Sequence, residues 1–206
     1  MHLYLFLYFL YCNTRRTERK KEAAEHLNKR ALFFIMGESK RLNITGGKTM
    51  TVEIGQKVPD IELLGDHGEK VKLSDFEGKY VVLYFYPKDM TPGCTTEACD
   101  FRDRHESFAE LDAVIIGVSP DDQARHEKFK QKHDLPFLLL VDDEHKLAES
   151  FDVWKLKKNF GKEYMGVERS TFLIDKEGRL VKEWRKVKVK DHVAEALQAV
   201  KEIAEA

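Results

Sequence analysis

Cys94 is the residue best placed for nucleophilic chemistry in this chain. It follows Thr91, Pro92 and Gly93, after an apolar run that predicts a strand, and the residues after it predict a helix. A thiol in the first turn of a helix faces backbone N–H groups without intrahelical partners, and the helix dipole favours negative charge there. Both effects stabilise a thiolate, which is the reactive form of cysteine. The sequence therefore indicates a reactive thiolate at Cys94.

The loop before Cys94 is predicted to be shaped rather than flexible. Pro87 and Pro92 restrict φ in this segment. Gly93 has no Cβ, so the backbone can approach whatever the thiolate attacks.

A second cysteine, Cys99, lies five residues after Cys94. On a regular helix five residues rise about 7.5 Å and turn through about 140°, which places the two Cα atoms roughly 8.6 Å apart. A disulfide needs a Cα separation of about 4.4 to 6.8 Å. A bridge between these sulfurs would require the start of the helix to unwind, so the spacing implies two states of this segment.

The residues around Cys94 resemble the peroxiredoxin family, and within it the bacterioferritin comigratory protein (peroxiredoxin Q) group. The family pattern P-x-x-x-T-x-x-C is met by Pro87, Thr91 and Cys94. The wider pattern of the group, Y-P-K-D-x-T-P-G-C-T-x-E-A-C, is met from Tyr86 to Cys99. The resemblance implies a thioredoxin-like α/β fold of peroxiredoxin type, with a central mixed sheet flanked by helices and an N-terminal β-hairpin.

The resemblance also implies a thiol peroxidase that reduces hydrogen peroxide and organic hydroperoxides. Cys94 would be the peroxidatic cysteine, which becomes a sulfenic acid. The substrate would be held by the Thr91 hydroxyl, by the backbone N–H groups of Gly93 and Cys94, and by the guanidinium of Arg169. Arg169 matches the arginine of the family just before a strand, and Pro87 would shield and shape the pocket.

Cys99 would be the resolving cysteine in this scheme. It would form an intramolecular disulfide with Cys94, which thioredoxin then reduces, so neither a metal nor an organic cofactor is needed. Glu97, one turn after Cys94, would orient Arg169.

The residue types alone leave other interpretations of these positions open. Arg169 could be a surface arginine paired with Glu168 or Glu97. The Thr91 hydroxyl could bond its own backbone, which is compatible with a role in binding. Cys99 could be a small core residue.

Three other functions have weaker support. A thioredoxin-type dithiol oxidoreductase would need C-x-x-C. A zinc site made from Cys94, Cys99 and His105 lacks the paired ligand spacing of such sites. A redox sensor or holdase, in which the thiols react without turnover, remains the alternative that only a turnover measurement can discriminate.

Apolar segments rich in β-branched and aromatic residues predict the strands. Two of them flank a glycine-containing loop as an N-terminal hairpin, and two flank Asp175–Gly178 as a second hairpin. The predicted strands are residues 61–64, 70–73, 80–86, 113–118, 137–141, 171–174 and 180–184.

Helices are predicted between these strands. One opens at Cys94, and a second should be capped by Ser119 and run to about Lys132, because a proline and two acids follow the serine. Residues 143–151 predict a short helix, and the last helix carries an apolar stripe that should pack against the sheet. Residues 154–166 are basic and without a clear period, which predicts a loop.

The charge balance and the cysteine content limit the binding partners and the cellular compartment that we expect for this protein. The 206 residues include 35 Lys and Arg and 36 Asp and Glu, for a net charge of -1. Such a balance gives no general attraction to nucleic acid or to an anionic membrane. Three cysteines, two of them in one motif, are typical of a reducing compartment, so we expect a cytoplasmic protein. A resolving thiol in the same chain favours a monomer.

The first fifty residues lie outside the resemblance, which begins at about Thr51. Residues 1–12 are mostly apolar and are followed by several arginines and lysines. A spanning helix needs about 20 apolar residues, and a secretory signal has positive charge before its apolar region. We therefore expect residues 1–50 to be an extension outside the functional domain, with the domain at residues 51–206 and Met50 as the functional start. The alternative is that the apolar residues 1–12 form a short anchor or an interfacial helix. Cys12 is assigned no role.

Overall fold

The structure is a computed structural model that describes residues 51–159 and 161–205. The predictions for residues 1–50 lie outside the described residues. Within the described ranges the strands are β1 Leu63–Gly65, β2 Lys70–Val71, β3 Tyr80–Phe85, β4 Ala113–Ser119, β5 Leu138–Val141, β6 Trp154–Asn159, β7 Lys162–Val167, β8 Ser170–Ile174 and β9 Leu180–Trp184. The α-helices are α1 Pro92–Asp103, α2 His105–Ala109, α3 Gln123–His133, α4 Lys146–Ser150 and α5 His192–Ala204, and a 3-10 helix covers Leu73–Phe76.

Seven of these strands form one mixed sheet in the order β2-β1-β5-β4-β3-β8-β9. Strands β3, β4 and β5 run parallel, while β8 pairs antiparallel with β3 and β9. At the end of β3, Phe85 is paired with Val118 of β4 and with Ser170 of β8. The loop that follows β3 therefore lies beside the residues just before β8, at the same end of these two neighbouring strands.

Strand β3 is buried on both faces, which explains its almost unbroken apolar sequence. Val82 and Tyr84 contribute to a core cluster that also contains residues of α1, α3 and α5. Val81, Leu83 and Phe85 contribute to a second cluster that contains residues of α4. Helices thus cover both sides of the central strand, and α1 is held on the side of the tyrosines.

The mixed sheet, the flanking helices and the N-terminal hairpin confirm the predicted thioredoxin-like fold of peroxiredoxin type. The predicted strands of the seven-stranded sheet are present, with ends that differ by a few residues. Helix α1 begins at Pro92, two residues before the cysteine at which it was predicted to open.

The predicted cap of α3 was wrong. Ser119 is still part of β4, where it pairs with Val141, so it cannot begin the helix. Asp122 caps α3 instead, because its carboxylate accepts a hydrogen bond of 2.9 Å from the backbone N–H of Arg125.

The prediction of a loop at residues 154–166 was also wrong. Strands β6 and β7 form a two-stranded hairpin with Trp154 opposite Val167. The sequence did not indicate it because Leu156, Tyr164 and Met165 are all exposed, and the hairpin packs on the core only at its Trp154–Val167 end among the described residues. Most of its length therefore has no buried face to impose an apolar period. Within the described ranges, no helix is both long enough and apolar enough to cross a membrane.

Gly117 in β4 provides a test of the packing between the sheet and α1. A Cβ atom at this position would lie 2.7 Å from both Tyr84 Oη and Leu139 Cδ2. Gly117→Ala should therefore lower the free energy of unfolding by about 1–3 kcal/mol, measured by urea denaturation.

The matched control is Gly166→Ala, also in a strand. Its Cβ would meet the ring of exposed Tyr164 at 3.2 Å, and that ring is free to turn away. The change at Gly166 should stay within about 0.5 kcal/mol. Equal losses for the two variants would contradict the close approach at Gly117.

Candidate active site

Helix α1 presents Cys94 in its first turn. Thr91 is the N-cap residue, with φ of -86° and ψ of 149°, and Pro92 occupies the first helical position, where its fixed φ suits a helix start. The N–H groups of Gly93 and Cys94 fall among those without an intrahelical acceptor. The first turn therefore places two backbone donors and the positive end of the helix dipole near the Cys94 sulfur.

Arg169 lies between β7 and β8, where the sheet brings it to the start of α1. Its Nη2 donates to Cys94 Sγ over 3.0 Å, and its Nη1 forms an ion pair with Glu97 Oε2. Its backbone carbonyl accepts a hydrogen bond of 2.9 Å from the N–H of Val187. The structure thus brings together three candidates from the sequence, Cys94, Arg169 and Glu97.

The guanidinium of Arg169 is 16% exposed and is held in its charged form. Burial disfavours its charge, but the nearby Glu97 carboxyl and Cys94 sulfur outweigh burial and raise the pKa of Arg169 above its usual value. The cation can therefore act as a fixed donor beside the sulfur.

Glu97 is fully buried one helical turn after Cys94. Burial raises the pKa of Glu97 to about 7, although Arg169 opposes this shift by its charge and by its hydrogen bond. Its Oε1 has no hydrogen-bond partner among the described residues. The carboxyl therefore changes charge near neutral pH within bonding distance of the arginine.

Cys94 is 1% exposed, yet it lies close beneath the surface. The residue before it, Gly93, is exposed, and a Cβ at that position would lie 3.6 Å from Arg169 Nη2. An open groove with a volume of about 390 Å³ lies on the adjacent face of α1, between Gly93, Thr96 and Asp100 and the loop at Val189 and Lys190, and Cys94 does not line it.

Thr91 and Pro87 lie in the loop between β3 and α1, and both are partly exposed. The Thr91 hydroxyl donates to the backbone carbonyl of Lys88 over 3.1 Å, so it makes the turn contact that the residue type alone suggested. Its lone pairs remain available to accept a hydrogen bond.

A profile of the AhpC/TSA family matches residues 54–183, which is more than half of the chain. Peroxiredoxin Bcp of Bacillus subtilis is 85% identical over 156 residues, covering 76% of this chain and 99% of the relative. The chain belongs to the peroxiredoxins of the AhpC/TSA family. Peroxiredoxins are thiol-dependent peroxidases, so the chain is an oxidoreductase.

Solved structures agree with this assignment. The bacterioferritin comigratory protein of Xanthomonas campestris, described for its alkyl peroxide reduction, is 40% identical, with a TM-score of 0.70 over 74% of this chain and 99% of the other. BcpB of Mycobacterium tuberculosis is 35% identical, with a TM-score of 0.66 over 74% of this chain and 98% of the other. The resemblance stated from the sequence is therefore confirmed.

Cys99 of this peroxiredoxin is partly exposed, while Cys94 is buried. Both are free thiols, and α1 is continuous from Pro92 to Asp103. The structure thus corresponds to the reduced form with an intact helix.

Two basic residues near Arg169 were not predicted. Lys157 of β6 donates from its Nζ to the carbonyl of Val167 over 2.6 Å, and burial lowers its pKa. The sequence predicted a loop in place of β6, so it gave no signal that Lys157 lies near Arg169.

The Nε2 atom of His192 lies 2.7 Å from Thr171 Oγ1. Burial, followed by the charge of Arg169, lowers the pKa of His192 to about 4. The imidazole is therefore neutral at neutral pH.

Glu97 should make stability fall as the pH rises. Its pKa in the folded protein, about 7, is above the ordinary 4.5, so its stabilising contribution is complete below pH 4.5 and is lost as the pH rises through 7. Relative to Glu97→Gln, the free energy of unfolding of the parent should fall by on the order of 3 kcal/mol across this window. Urea titrations at several pH values measure this difference, and a difference that does not change with pH would contradict it.

Proposed function

We propose that Cys94 is the peroxidatic cysteine of this peroxidase. The contact of 3.0 Å between Cys94 Sγ and Arg169 Nη2, at the start of α1, carries the proposal. In the reaction the thiolate sulfur attacks one oxygen of the hydroperoxide, an S–O bond forms and the O–O bond breaks. The sulfur is oxidised to a sulfenic acid, and the departing oxygen takes a proton and leaves as water or an alcohol.

Ionising the thiol supplies only part of the rate. An unperturbed thiol is about 3% thiolate at pH 7, so complete ionisation gains roughly thirty-fold. Hydrogen-bond donors directed at the oxygens of the transition state must supply most of the remainder. Arg169 donates to the sulfur, and the N–H groups of Gly93 and Cys94 in the first turn of α1 are the further donors. The Thr91 hydroxyl donates to the Lys88 carbonyl, so it would accept a hydrogen bond from the hydroperoxide. Pro87 shapes the loop that carries Thr91.

Glu97 orients Arg169 in this scheme. Its ion pair occupies Nη1 and leaves Nη2 directed at the sulfur. Two contacts made by separate guanidinium nitrogens fix the plane of the group, which a single contact with the sulfur would not do.

Cys99 is proposed to resolve the sulfenic acid. Its thiol attacks the oxidised sulfur of Cys94, an S–S bond forms, and the hydroxyl leaves as water. Because Cys94 is buried in the first turn of α1, this step requires local unwinding of the helix. Thioredoxin is the proposed reductant of the disulfide, and the substrates are hydrogen peroxide and organic hydroperoxides.

The proposed mechanism also bears on the oligomeric state and the cellular location of the enzyme. An intramolecular disulfide needs no sulfur from a partner subunit, which supports a monomer. A disulfide that is made and reduced in every cycle suits a reducing compartment, which supports a cytoplasmic location.

Serine substitutions should separate the two cysteines in an assay with thioredoxin, its reductase and hydrogen peroxide. Cys94→Ser should lower turnover by at least about 10³-fold, because no nucleophile remains. Cys99→Ser should allow the first oxidation and accumulate a sulfenic acid that a dimedone probe traps, while recycling slows.

Cys12→Ser is the matched control and should keep the turnover of the parent. Full turnover by Cys94→Ser would refute the proposal, and unimpaired recycling by Cys99→Ser would remove Cys99 from the mechanism. A parent protein that reacts once and does not recycle would be a sensor.

We also propose that residues 51–206 are the functional domain. The Bacillus subtilis relative matches 156 residues of this chain over 99% of its own length, which supports this boundary. A chain that begins at Met50 should keep the peroxidase turnover and the solubility of the full chain. Loss of either property would show that residues 1–49 contribute to activity or to solubility.

A further inference from the structure

Asp89, in the loop between β3 and α1, is fully buried and bonded through each of its polar groups. Its N–H donates to Asp121 Oδ2 over 2.6 Å, and its carbonyl accepts from Arg125 Nη2 over 3.3 Å. Its carboxylate accepts from the Tyr86 hydroxyl over 2.7 Å and lies 2.7 Å from Nδ1 of His126. The middle of the loop is therefore anchored to the start of α3.

His126 of α3 is fully buried and meets an acceptor at each ring nitrogen. Nδ1 faces the carboxylate of Asp89, and Nε2 lies 3.2 Å from the carbonyl of Leu140 in β5. A carbonyl can only accept, so Nε2 must carry a hydrogen, and a carboxylate that already accepts from Tyr86 is best matched by a hydrogen on Nδ1 as well. One further proton lies between Nδ1 and the Asp89 carboxyl: on Nδ1 it gives a carboxylate–imidazolium pair, and on the carboxyl it leaves both groups neutral. The Tyr86 hydroxyl donates to the same carboxyl and so favours the charged pair.

The charges around this pair balance each other. Asp121 and Arg125 form an ion pair with an N···O distance of 3.0 Å, and each also bonds the backbone of Asp89. Two acids and two bases thus meet at the start of α3. The contact between Asp89 and His126 is fully buried and is costly to break from one side, because the remaining polar group has no partner.

The residue after the anchor is held in a strained conformation. Met90 has φ of 62°, a left-handed conformation that is unfavourable for a residue other than glycine. Met90 directs the chain into Thr91, the N-cap of α1, and from there into the turn that holds Cys94. Without an anchor at Asp89 the loop could relax, and the N–H donors and the Thr91 hydroxyl would move relative to the sulfur.

We propose that Asp89 and His126 form a buried carboxylate–imidazolium pair that positions the loop and the first turn of α1 around Cys94. Both are positioning residues, since neither contacts the sulfur. Their effect on catalysis rests on the proposed function of Cys94, whereas their charge state and their hold on the loop do not.

The charge state is tested directly by NMR of the full chain labelled with ¹⁵N in its histidines. The signals of His126 are assigned in the parent protein by through-space contacts between its ring and the ring of Tyr86, whose centroids lie 6.4 Å apart. We expect a proton on both ring nitrogens at neutral pH. One unprotonated ring nitrogen would overturn the proposal, and this measurement does not depend on any variant folding.

The positioning effect is tested with Asp89→Asn, His126→Gln and the double variant. The rate of first oxidation of Cys94 by hydrogen peroxide, followed by stopped-flow fluorescence, should fall by about 10- to 100-fold, because a small displacement of donors is costly in rate. Alkylation of Cys94 by iodoacetamide, followed by mass spectrometry of its peptide, should change by less than about 3-fold, because this reagent makes little use of the positioned donors. The double variant should be about as slow as either single variant.

Asp112→Asn and His133→Gln are the matched controls, and both should react like the parent. Parent rates in Asp89→Asn, or equal changes in oxidation and alkylation, would overturn the positioning role. If the parent itself shows no peroxidase turnover, the proposed function fails while the NMR result still decides the charge state of the pair.

Discussion

The candidate active site depends on the way one guanidinium is shared between a sulfur and a carboxyl. Arg169 is held through Nη1 by Glu97 and reaches Cys94 through Nη2. Both partners are buried and lie one turn apart on the same face of α1, so the spacing of the helix sets the two contacts. The position of the donor at the sulfur follows from the helix rather than from a flexible arginine.

The sheet supplies the other half of this arrangement. Arg169 precedes β8, and β8 pairs with β3 so that Ser170 lies opposite Phe85, the last residue of β3. The loop that leads into α1 leaves from the same end of β3. The arginine and the cysteine, 75 residues apart in sequence, therefore meet because two strands share a register. Buried aromatic residues on both faces of β3 make a slip of that register costly.

Much of this site could be predicted from the sequence. Cys94, Thr91 and Cys99 lie in one continuous motif, and the type of turn and helix around them follows from local residue chemistry. Arg169 could be identified only through the family resemblance, since nothing local distinguishes it from a surface arginine. Its contacts with Cys94 and Glu97 needed the structure, because pairing across the sheet is not encoded in a short segment.

The parts that the sequence did not predict have a common cause. The hairpin of β6 and β7 has exposed apolar side chains along most of its length and packs on the core at its Trp154–Val167 end, so its residues show no period that marks a strand. Lys157 and His192 approach Arg169 through tertiary packing alone. Likewise, Asp122 rather than Ser119 caps α3 because β4 extends to Ser119. Local composition does not determine the residue at which a strand ends.

Helix α1 carries Cys94, Glu97 and Cys99 within two turns. The formation of a disulfide at Cys94 would therefore also change the exposure of Glu97 to water. A Cys94–Cys99 bridge requires the first turn to open, and the buried carboxyl of Glu97 and the guanidinium of Arg169 would then lose their shared enclosure. The guanidinium and the carboxyl would return to water together with the sulfur, and the carboxyl, no longer buried, would ionise fully at neutral pH. The oxidised and reduced molecules would therefore differ in their surface electrostatics as well as in one bond, and a docking protein could tell them apart without touching either sulfur.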